Sequence, residues 1–211
     1  MLNSIDYTEQ EIKQIKEKVN SGDFNSDSWS DDDIKNIKDK IKDFYLKEQK
    51  NICPYCRQKI NSNHGRNWDI EHIIPRSTEP NFMFEPLNLC MSCVDCNSAK
   101  SHKKISKSKA KKLYPKKSSG FLIIHPHFDD YSEHILVVKE GFYYVALKKK
   151  GEKTIEVCKL NRFYEFSDFG PSVQDDDRIF LLSEQLQKTD NEILKKEIRK
   201  NIAELAIKGA V

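Results

Sequence analysis

Closely spaced cysteines are the first feature of the chain that can carry chemistry. Cys53 and Cys56 form one C-x2-C pair, and Cys90, Cys93 and Cys96 offer two further, overlapping pairs of the same spacing. Two cysteines three positions apart on a tight turn can supply two of the four ligands of a tetrahedral Zn²⁺. The sequence therefore predicts a structural zinc site, built from the first pair and one of the two later pairs, whose four thiolates leave no open position for substrate.

Acidic, imidazole and amide side chains lie between and beside these cysteines. One segment reads Asp69-Ile-Glu-His-Ile-Ile-Pro75, and its alternation predicts a short strand that Pro75 ends. Neighbours on a strand point to opposite faces, so Glu71 and His72 can approach one phosphate only where the strand ends or twists. A Glu-His pair by itself is also typical of a surface salt bridge, and its place inside a zinc-bound loop is what favours a site.

These side chains fit the hydrolysis of a phosphodiester. That reaction needs a base for water and a cation near the leaving oxygen. An imidazole with a reference pKa of about 6.5 is largely neutral at cellular pH and can accept the proton. Carboxylate and amide oxygens suit Mg²⁺ or Mn²⁺. The few acidic residues between Cys53 and Lys100 favour one catalytic metal over two; they are Asp69, Glu71, Glu79, Glu85 and Asp95.

The combined pattern resembles the HNH endonucleases, whose core is the ββα-metal fold and which include a zinc-binding type. The resemblance rests on DIEHIIP, Asn88, Cys93-x2-Cys96-Asn97 and Lys100, and it covers about residues 50–105. The signature positions fall on His72, Asn88 and Asn97, with asparagine in place of the last histidine. Under this alignment Cys93 and Cys96 complete the zinc site and Cys90 is a small buried thiol.

The resemblance also implies a role for each matching residue. His72 would be the general base, Glu71 and Asn97 would hold the catalytic metal, and Asn88 would brace the loop through hydrogen bonds to backbone. The family usually has aspartate directly before the histidine, whereas this chain has glutamate. Asp69 therefore stays open as an alternative metal ligand.

Positive charge is concentrated in the middle of the chain. The net charge is only +3, but residues 96–128 contain no Asp or Glu and positions 100–117 hold nine lysines, while the first 43 residues are net acidic. This asymmetry indicates a polyanion such as DNA, although a solvated lysine loop is the alternative. Five cations flank the expected site as predicted phosphate contacts, which would position a duplex without reading its sequence: Arg76, Lys100, His102, Lys103 and Lys104.

The elements around this unit follow from pattern. Thr8 with Glu11 predicts a capping box, and Ser30 followed by three aspartates predicts the start of a second helix. Its apolar face would hold Ile34, Ile37, Ile41 and either Phe44 or Tyr45 and pack on the cysteine-rich unit. The polar connection at 21–30 shows no chemistry. Strands are predicted at residues 121–128, 134–138, 141–147 and 154–160, and one or two helices at 175–210.

The predicted fold class is α+β, with four parts. These are an N-terminal helical segment (1–50), a zinc-stapled HNH nuclease core (51–117), a β-rich extension (118–170) and C-terminal helices (171–211). Within the extension, three histidines and two aspartates suggest either a second metal site or ordinary hydrogen-bonded histidines. They are His125, His127, His134, Asp129 and Asp130.

Composition restricts the class of protein. The chain is 37% hydrophobic and 33% charged, which is typical of a polar globular protein. Neither a secretory leader nor an apolar run long enough for a membrane span is present in the sequence, so we expect a cytoplasmic protein. In a reducing compartment, cysteines are better explained by metal than by disulfides.

The favoured function is therefore a Mg²⁺- or Mn²⁺-dependent DNA endonuclease; the alternative is a catalytically silent zinc module that binds nucleic acid. The β-rich region that follows Gly120, with a proline, paired aspartates, a histidine and TIEVCKLNR, is also loosely similar to the region after the nuclease unit in bacterial HNH proteins of Septu and retron defence systems. In those systems the nuclease works beside an ATPase. That resemblance implies anti-phage defence or restriction and a possible ATPase partner.

Overall fold

The computed structural model describes residues 1–62, 66–107, 113–163 and 175–209, which form an α+β fold. None of the helices in these ranges is long and apolar enough to cross a membrane. The helices are α1 (Glu9–Val19), α2 (Lys35–Glu48), α3 (Val94–Lys100), α4 (Lys149–Cys158), α5 (Asp175–Lys188) and α6 (Glu192–Gly209), and the strands are β1 (Trp68–His72), β2 (Leu89–Cys93), β3 (Ile135–Lys139) and β4 (Tyr143–Ala146).

A ββα unit holds the candidate site. Strands β1 and β2 are antiparallel, with Asp69 opposite Ser92 and Glu71 opposite Cys90. Helix α3 begins one residue after β2 ends and packs on both strands. Because side chains alternate along a strand, Asp69 and Glu71 share one face of β1. The predicted strand is confirmed, and α3 begins at Val94, three residues before the predicted start near Asn97.

Two N-terminal helices support this unit. The capping box of α1 is confirmed, since Glu11 N donates to Thr8 Oγ1 at 3.3 Å and Thr8 N donates to Glu11 Oε2 at 2.7 Å. The predicted start of the second helix at Ser30 is wrong. Ser30 ends a 3₁₀ turn, a second short turn follows at Asp32–Ile34, and α2 begins only at Lys35. Consecutive aspartates favour turns and caps over helix interiors, which explains the delay.

The apolar face of α2 packs on β2. Ile34, Ile37, Ile41 and Tyr45 are each fully buried, whereas Phe44 is half-buried, so Tyr45 is the residue that continues the stripe. The side chain of Gln49 extends the contact. Its amide donates to Met91 O at 2.8 Å and its carbonyl accepts from Met91 N at 2.7 Å. Gln49 thus pairs with the backbone of β2 as an additional strand would.

The C-terminal part differs from its predicted strand content. Strands β3 and β4 form where predicted, but residues 154–160 are wrong as a strand, because Thr154, Val157 and Cys158 belong to helix α4 and are buried on one face. Their β-branched composition suggested a strand, and packing of that face against α3 and β4 decides for a helix. Residues 121–128 form only one isolated bridge, between Phe121 and Ser106.

Two glycines show why this region folds as it does. Gly141 lies in the β3–β4 turn at φ +73°, a left-handed backbone that glycine adopts without strain. Gly151 lies inside α4. A Cβ at Gly151 would approach the backbone oxygen of His134 to 1.9 Å, so glycine is required by close packing. Helices α5 and α6 confirm the predicted helical C-terminus and cover β3 and β4 through a small core that includes Leu182 and Ile198.

The histidines of the extension are engaged by protein groups. His125 stacks on Phe128 with ring centroids 4.1 Å apart, and burial lowers the pKa of His125 to about 2. His127 faces the backbone oxygens of Leu2 and Leu89 with its two ring nitrogens. Asp129 accepts from Lys150 Nζ at 2.7 Å. Within the described ranges these side chains form no group of converging metal ligands; His125, His127 and Asp129 are hydrogen-bonded, and His134 Nε2 lies 3.7 Å from Asp129 Oδ1.

Candidate active site

Four cysteines converge beneath the ββα unit. The sulfur atoms of Cys53, Cys56, Cys93 and Cys96 all lie within 4.8 Å of one another and all four residues are buried. Cys56 Sγ and Cys93 Sγ are 3.8 Å apart. Zn–S bonds of about 2.3 Å in a tetrahedron place sulfurs about 3.8 Å apart. The donor set therefore fits Zn²⁺, the cluster contains Cys93 and Cys96, and Cys90 is fully buried outside it.

The protonation of the cluster also favours a cation. Burial opposes a thiolate at Cys53, but hydrogen bonds from its three neighbours hold the pKa of Cys53 well below its usual value. Hydrogen bonding to Cys53 then raises the pKa of both Cys56 and Cys96. Mutual hydrogen bonding thus favours a thiolate at Cys53 and opposes one at Cys56 and at Cys96. A divalent ion supplies the charge that stabilises all four as thiolates.

An arginine missed by sequence reasoning lies beside this cluster. Arg162 Nη1 is 3.9 Å from Cys96 Sγ, and its Nη2 is 3.2 Å from the carboxylate of Asp95. The guanidinium places positive charge next to a sulfur that is anionic when zinc is bound. Arg162 is distant in sequence from the C-x2-C pairs, and no spacing rule connects them.

A cavity of about 570 Å³ is lined by residues of β1 and α3. It brings together four of the predicted site residues, namely Asp69, Glu71, His72 and Asn97. The cavity is also bordered by Arg76, Lys100 and His102. Asn88, Lys103 and Lys104 are not among the residues that line this cavity. Glu71 and His72 are neighbours on β1, yet both line the cavity. His72 is the last residue of β1, where the alternation of side chains between the two faces ends.

His72 is held from two sides. Its Nε2 lies 3.1 Å from Met83 O, and its ring packs edge-on against Trp29, with ring centroids 4.5 Å apart at 86°. When Nε2–H donates to the Met83 carbonyl, Nδ1 carries the lone pair. Burial, with the nearby positive charge of Arg76 and Lys100, lowers the pKa of His72 to about 3. The imidazole of the free protein is therefore neutral at neutral pH, and negative charge brought into the cavity would raise its pKa.

Asp69 and Asn97 meet across the gap between β1 and α3. Asn97 Nδ2 donates to Asp69 Oδ2 at 2.7 Å, and both side chains are half-buried at the cavity wall. Rotation of the amide by 180° presents its oxygen instead, so a carboxylate and an amide oxygen can face one small cation. This donor chemistry fits Mg²⁺ or Mn²⁺, which accept few protein oxygens and keep several waters.

Glu71 has a different environment. Its Oε1 lies 2.6 Å from Lys100 Nζ and accepts from Tyr55 OH at 3.1 Å. The side chains of Glu71 and Lys100 are only 2% and 1% exposed. Burial raises the pKa of Glu71 and the ammonium of Lys100 opposes that rise. Lys100 Nζ also donates to His72 O at 3.0 Å, which ties α3 to the end of β1.

Asn88 makes the backbone contacts that the resemblance implied. Its side chain accepts from Ile74 N at 2.7 Å and donates to Ile74 O at 3.1 Å and to Phe82 O at 2.9 Å. Asn88 is fully buried, so each of these bonds replaces water that the backbone groups cannot reach. They fix the course of the chain directly after His72.

The predicted phosphate contacts fall into three groups. His102 and Lys104 are exposed. Arg76 is half-buried and donates to Ser26 O, and Lys103 Nζ donates to Val157 O at 2.9 Å. Lys100 is buried in its pair with Glu71. Lysines 109, 111 and 112 lie outside the described residues.

The connection that showed no chemistry in the sequence borders the cavity. Ser26, Asp27 and Trp29 belong to a 3₁₀ turn that reaches the site through the Trp29–His72 ring contact. Tryptophan between polar turn residues was the available signal. Its contact with His72 depends on a long-range packing that no local pattern contains.

Comparison with known proteins agrees with this geometry. Residues 53–103 match the family model described as HNH endonuclease. Residues 53–103 are an HNH domain. The chain is also 30% identical over 124 residues to the Septu protein PtuB of Bacillus thuringiensis. That alignment covers 58% of this chain and 41% of the relative, so the chain spans less than half of the relative's length. No solved structure matches the chain significantly.

The matched range sets the HNH domain within the fold. It begins at Cys53, the first cysteine of the cluster, and extends past α3 to Lys103, so it contains all four clustered cysteines, both strands of the ββα unit and all five predicted catalytic residues. Trp29 and Arg162 lie outside the HNH domain. Their contacts show that the flanking segments complete the surroundings of its two sites.

Proposed function

We propose that the HNH domain is a metal-dependent endonuclease that hydrolyses phosphodiester bonds in DNA. The observation that carries this proposal is the convergence of His72, Asp69 and Asn97 on one cavity beside a zinc-binding cluster. A base and a pair of cation ligands are the two components that phosphodiester hydrolysis needs. The domain match supports nuclease activity, and the identity of base, ligands and substrate is our proposal.

His72 is the proposed general base. Its free Nδ1 accepts a proton from the water that attacks phosphorus, while the bond to Met83 and the Trp29 ring hold the imidazole in place. The negative charge of a bound phosphate stabilises the imidazolium that forms. Asn88 keeps the loop after His72 in position through its three backbone bonds.

Asp69 and Asn97 are the proposed ligands of one Mg²⁺ or Mn²⁺, with Glu71 beside them as a further carboxylate. A cation bound there would stabilise the negative charge that develops on the phosphate and on the leaving 3′ oxygen. Arg76 and His102, which border the cavity, and the exposed Lys104 are the proposed phosphate contacts. Such contacts carry no sequence information, so we expect weak sequence preference.

We further propose a role in bacterial defence against foreign DNA, with an ATPase as partner. The similarity to a Septu protein supports the first part, and the loose resemblance of the region that follows Gly120 to HNH proteins that work beside an ATPase supports the second. Stable copurification of the tagged chain with an ATPase from its own host would support the partnership, whereas a tagged chain that purifies from that host without any ATPase would speak against it.

Asp69→Asn should weaken the response of cleavage to metal. Loss of the carboxylate charge removes the stronger of two proposed ligands, so the Mn²⁺ concentration for half-maximal cleavage should rise by at least about tenfold. The measurement is the initial rate of plasmid cleavage against Mn²⁺ concentration.

Asp27→Asn is the matched control, because Asp27 is an exposed aspartate that lines the same cavity. Its half-maximal Mn²⁺ concentration should stay within about twofold of wild type, since solvent screens the charge of an exposed carboxylate that is not a ligand. An equal shift in both variants would mean that general negative charge, and not ligation by Asp69, sets the metal response.

A further inference from the structure

A buried ammonium lies beside the proposed cation site. Lys100 is 1% exposed, and its Nζ contacts Glu71 Oε1 at 2.6 Å and His72 O at 3.0 Å. Lysine is almost never fully buried without a partner, because its charge must be taken out of water. Sequence reasoning placed this lysine on phosphate, yet its two acceptors in the structure are groups of β1.

The position of Lys100 relative to the metal ligands follows from the two elements. Asn97 and Lys100 are three residues apart on α3, and residues at this spacing lie on one helix face with Cβ atoms about 5–6 Å apart. Their partners, Asp69 and Glu71, are two residues apart on one face of β1. The two cross-pairs, Asn97–Asp69 and Lys100–Glu71, are therefore neighbours.

We propose that Lys100 is a built-in counter-ion that keeps the affinity of this site for divalent cations low in the free protein. This inference rests on the proposed function of the cavity. The ammonium already neutralises Glu71, and it repels a second cation held by Asp69 and Asn97 one turn away. Glu71 becomes available as a cation ligand only when Lys100 gives up that contact.

A phosphate in the cavity changes this balance. A bound phosphodiester brings negative charge that compensates for both cations, and it is an acceptor for Lys100. The cation and the nucleic acid are then expected to bind cooperatively, because each offsets repulsion that the other meets. Lys100 would thus contact phosphate after the cation takes its place on Glu71.

The test measures cation binding in the absence of nucleic acid. Zinc-loaded wild type and Lys100→Met are titrated with Mn²⁺, and free Mn²⁺ is followed by electron paramagnetic resonance. The Kd for Mn²⁺ should fall by at least tenfold in Lys100→Met. Lys104→Met removes an equal charge from an exposed position four residues later and should change the Kd by less than about twofold, because solvent screens that charge.

Folding of each variant is verified by zinc content and circular dichroism. If Lys100→Met does not fold, Lys100→Gln replaces it, since the amide can still donate to Glu71 and His72 without a charge. An unchanged or weaker Kd in a folded Lys100 variant would overturn the inference. The readout is binding, so the two proposals can fail separately. If wild type cleaves DNA but the Lys100 variant binds Mn²⁺ no more tightly than wild type, only the counter-ion role is rejected. If the Lys100 variant binds Mn²⁺ more tightly but wild type never cleaves, only the nuclease proposal is rejected.

Discussion

Cys96→Ser should release zinc and unfold the HNH domain. A serine hydroxyl does not replace a thiolate ligand, and the three remaining buried sulfurs would then lack both a ligand set and a stabilising cation. Structural zinc sites contribute roughly 10 kcal/mol or more of binding free energy in small domains, which exceeds the net stability of most folded domains. We expect zinc stoichiometry near zero by mass spectrometry and loss of the cooperative urea transition.

Cys90→Ser is the matched control, because Cys90 is also fully buried and lies three residues from Cys93 but outside the four-sulfur cluster. It exchanges one buried thiol for a hydroxyl, which should cost about 1–3 kcal/mol, and one zinc per chain should remain. Loss of zinc from Cys90→Ser with retention by Cys96→Ser would contradict the ligand assignment.

His72→Ala should abolish most cleavage while leaving DNA binding intact. Removal of a general base lowers rates by about 10²–10⁴-fold. His72 is only 7% exposed and is uncharged at neutral pH, so it contributes little to phosphate affinity. The measurements are single-turnover cleavage of a labelled duplex by excess zinc-loaded protein, and the Kd for the same duplex by fluorescence anisotropy without divalent cation.

His102→Ala serves as the control for His72, because His102 is an exposed histidine on the same cavity. Its loss should lower the rate by less than about tenfold and should weaken binding slightly, as expected for a phosphate contact near solvent. If His102→Ala removed cleavage and His72→Ala did not, the base would be assigned to the wrong imidazole.

The zinc site could be predicted from the sequence because its information is local. Cys53 and Cys56 flank a tight turn, Cys93 and Cys96 span the end of β2 and the first turn of α3, and Asn88 and Asn97 decided between the overlapping later pairs. The same holds for the capping box at Thr8, where donor and acceptor are three residues apart. Short-range geometry of this kind depends little on the rest of the fold.

Contacts between distant segments could not be predicted. The ring of Trp29 on His72 joins residues 43 positions apart, and the pair between Glu71 and Lys100 depends on how α3 crosses β1. A lysine in a basic stretch is usually solvated. The burial of Lys100 results from the packing of α3 on β1, which the sequence does not specify locally. The motif left open whether Asp69 or Glu71 holds the metal. In the structure Glu71 is paired with Lys100, whereas Asp69 is paired with Asn97.

Helix α4 shows a different limit. Its residues Thr154 to Cys158 favour a strand by composition, yet Thr154 Oγ1 accepts from Ile124 N at 2.8 Å and Gly151 allows close approach to His134. These tertiary contacts override local β propensity. The wrong start predicted for α2 has a local cause. The aspartates at 31–33 favour a turn, so α2 begins at Lys35 instead of Ser30.

The most direct measurement is cleavage of supercoiled plasmid by zinc-loaded protein, with Mg²⁺, Mn²⁺ or no added divalent cation, beside the His72→Ala variant. We predict nicked or linear DNA with wild type only when Mg²⁺ or Mn²⁺ is present, and intact plasmid with His72→Ala in every lane. A fully zinc-loaded wild type that binds the plasmid but leaves it intact would identify a silent zinc module. Equal cleavage by His72→Ala would contradict the proposed base.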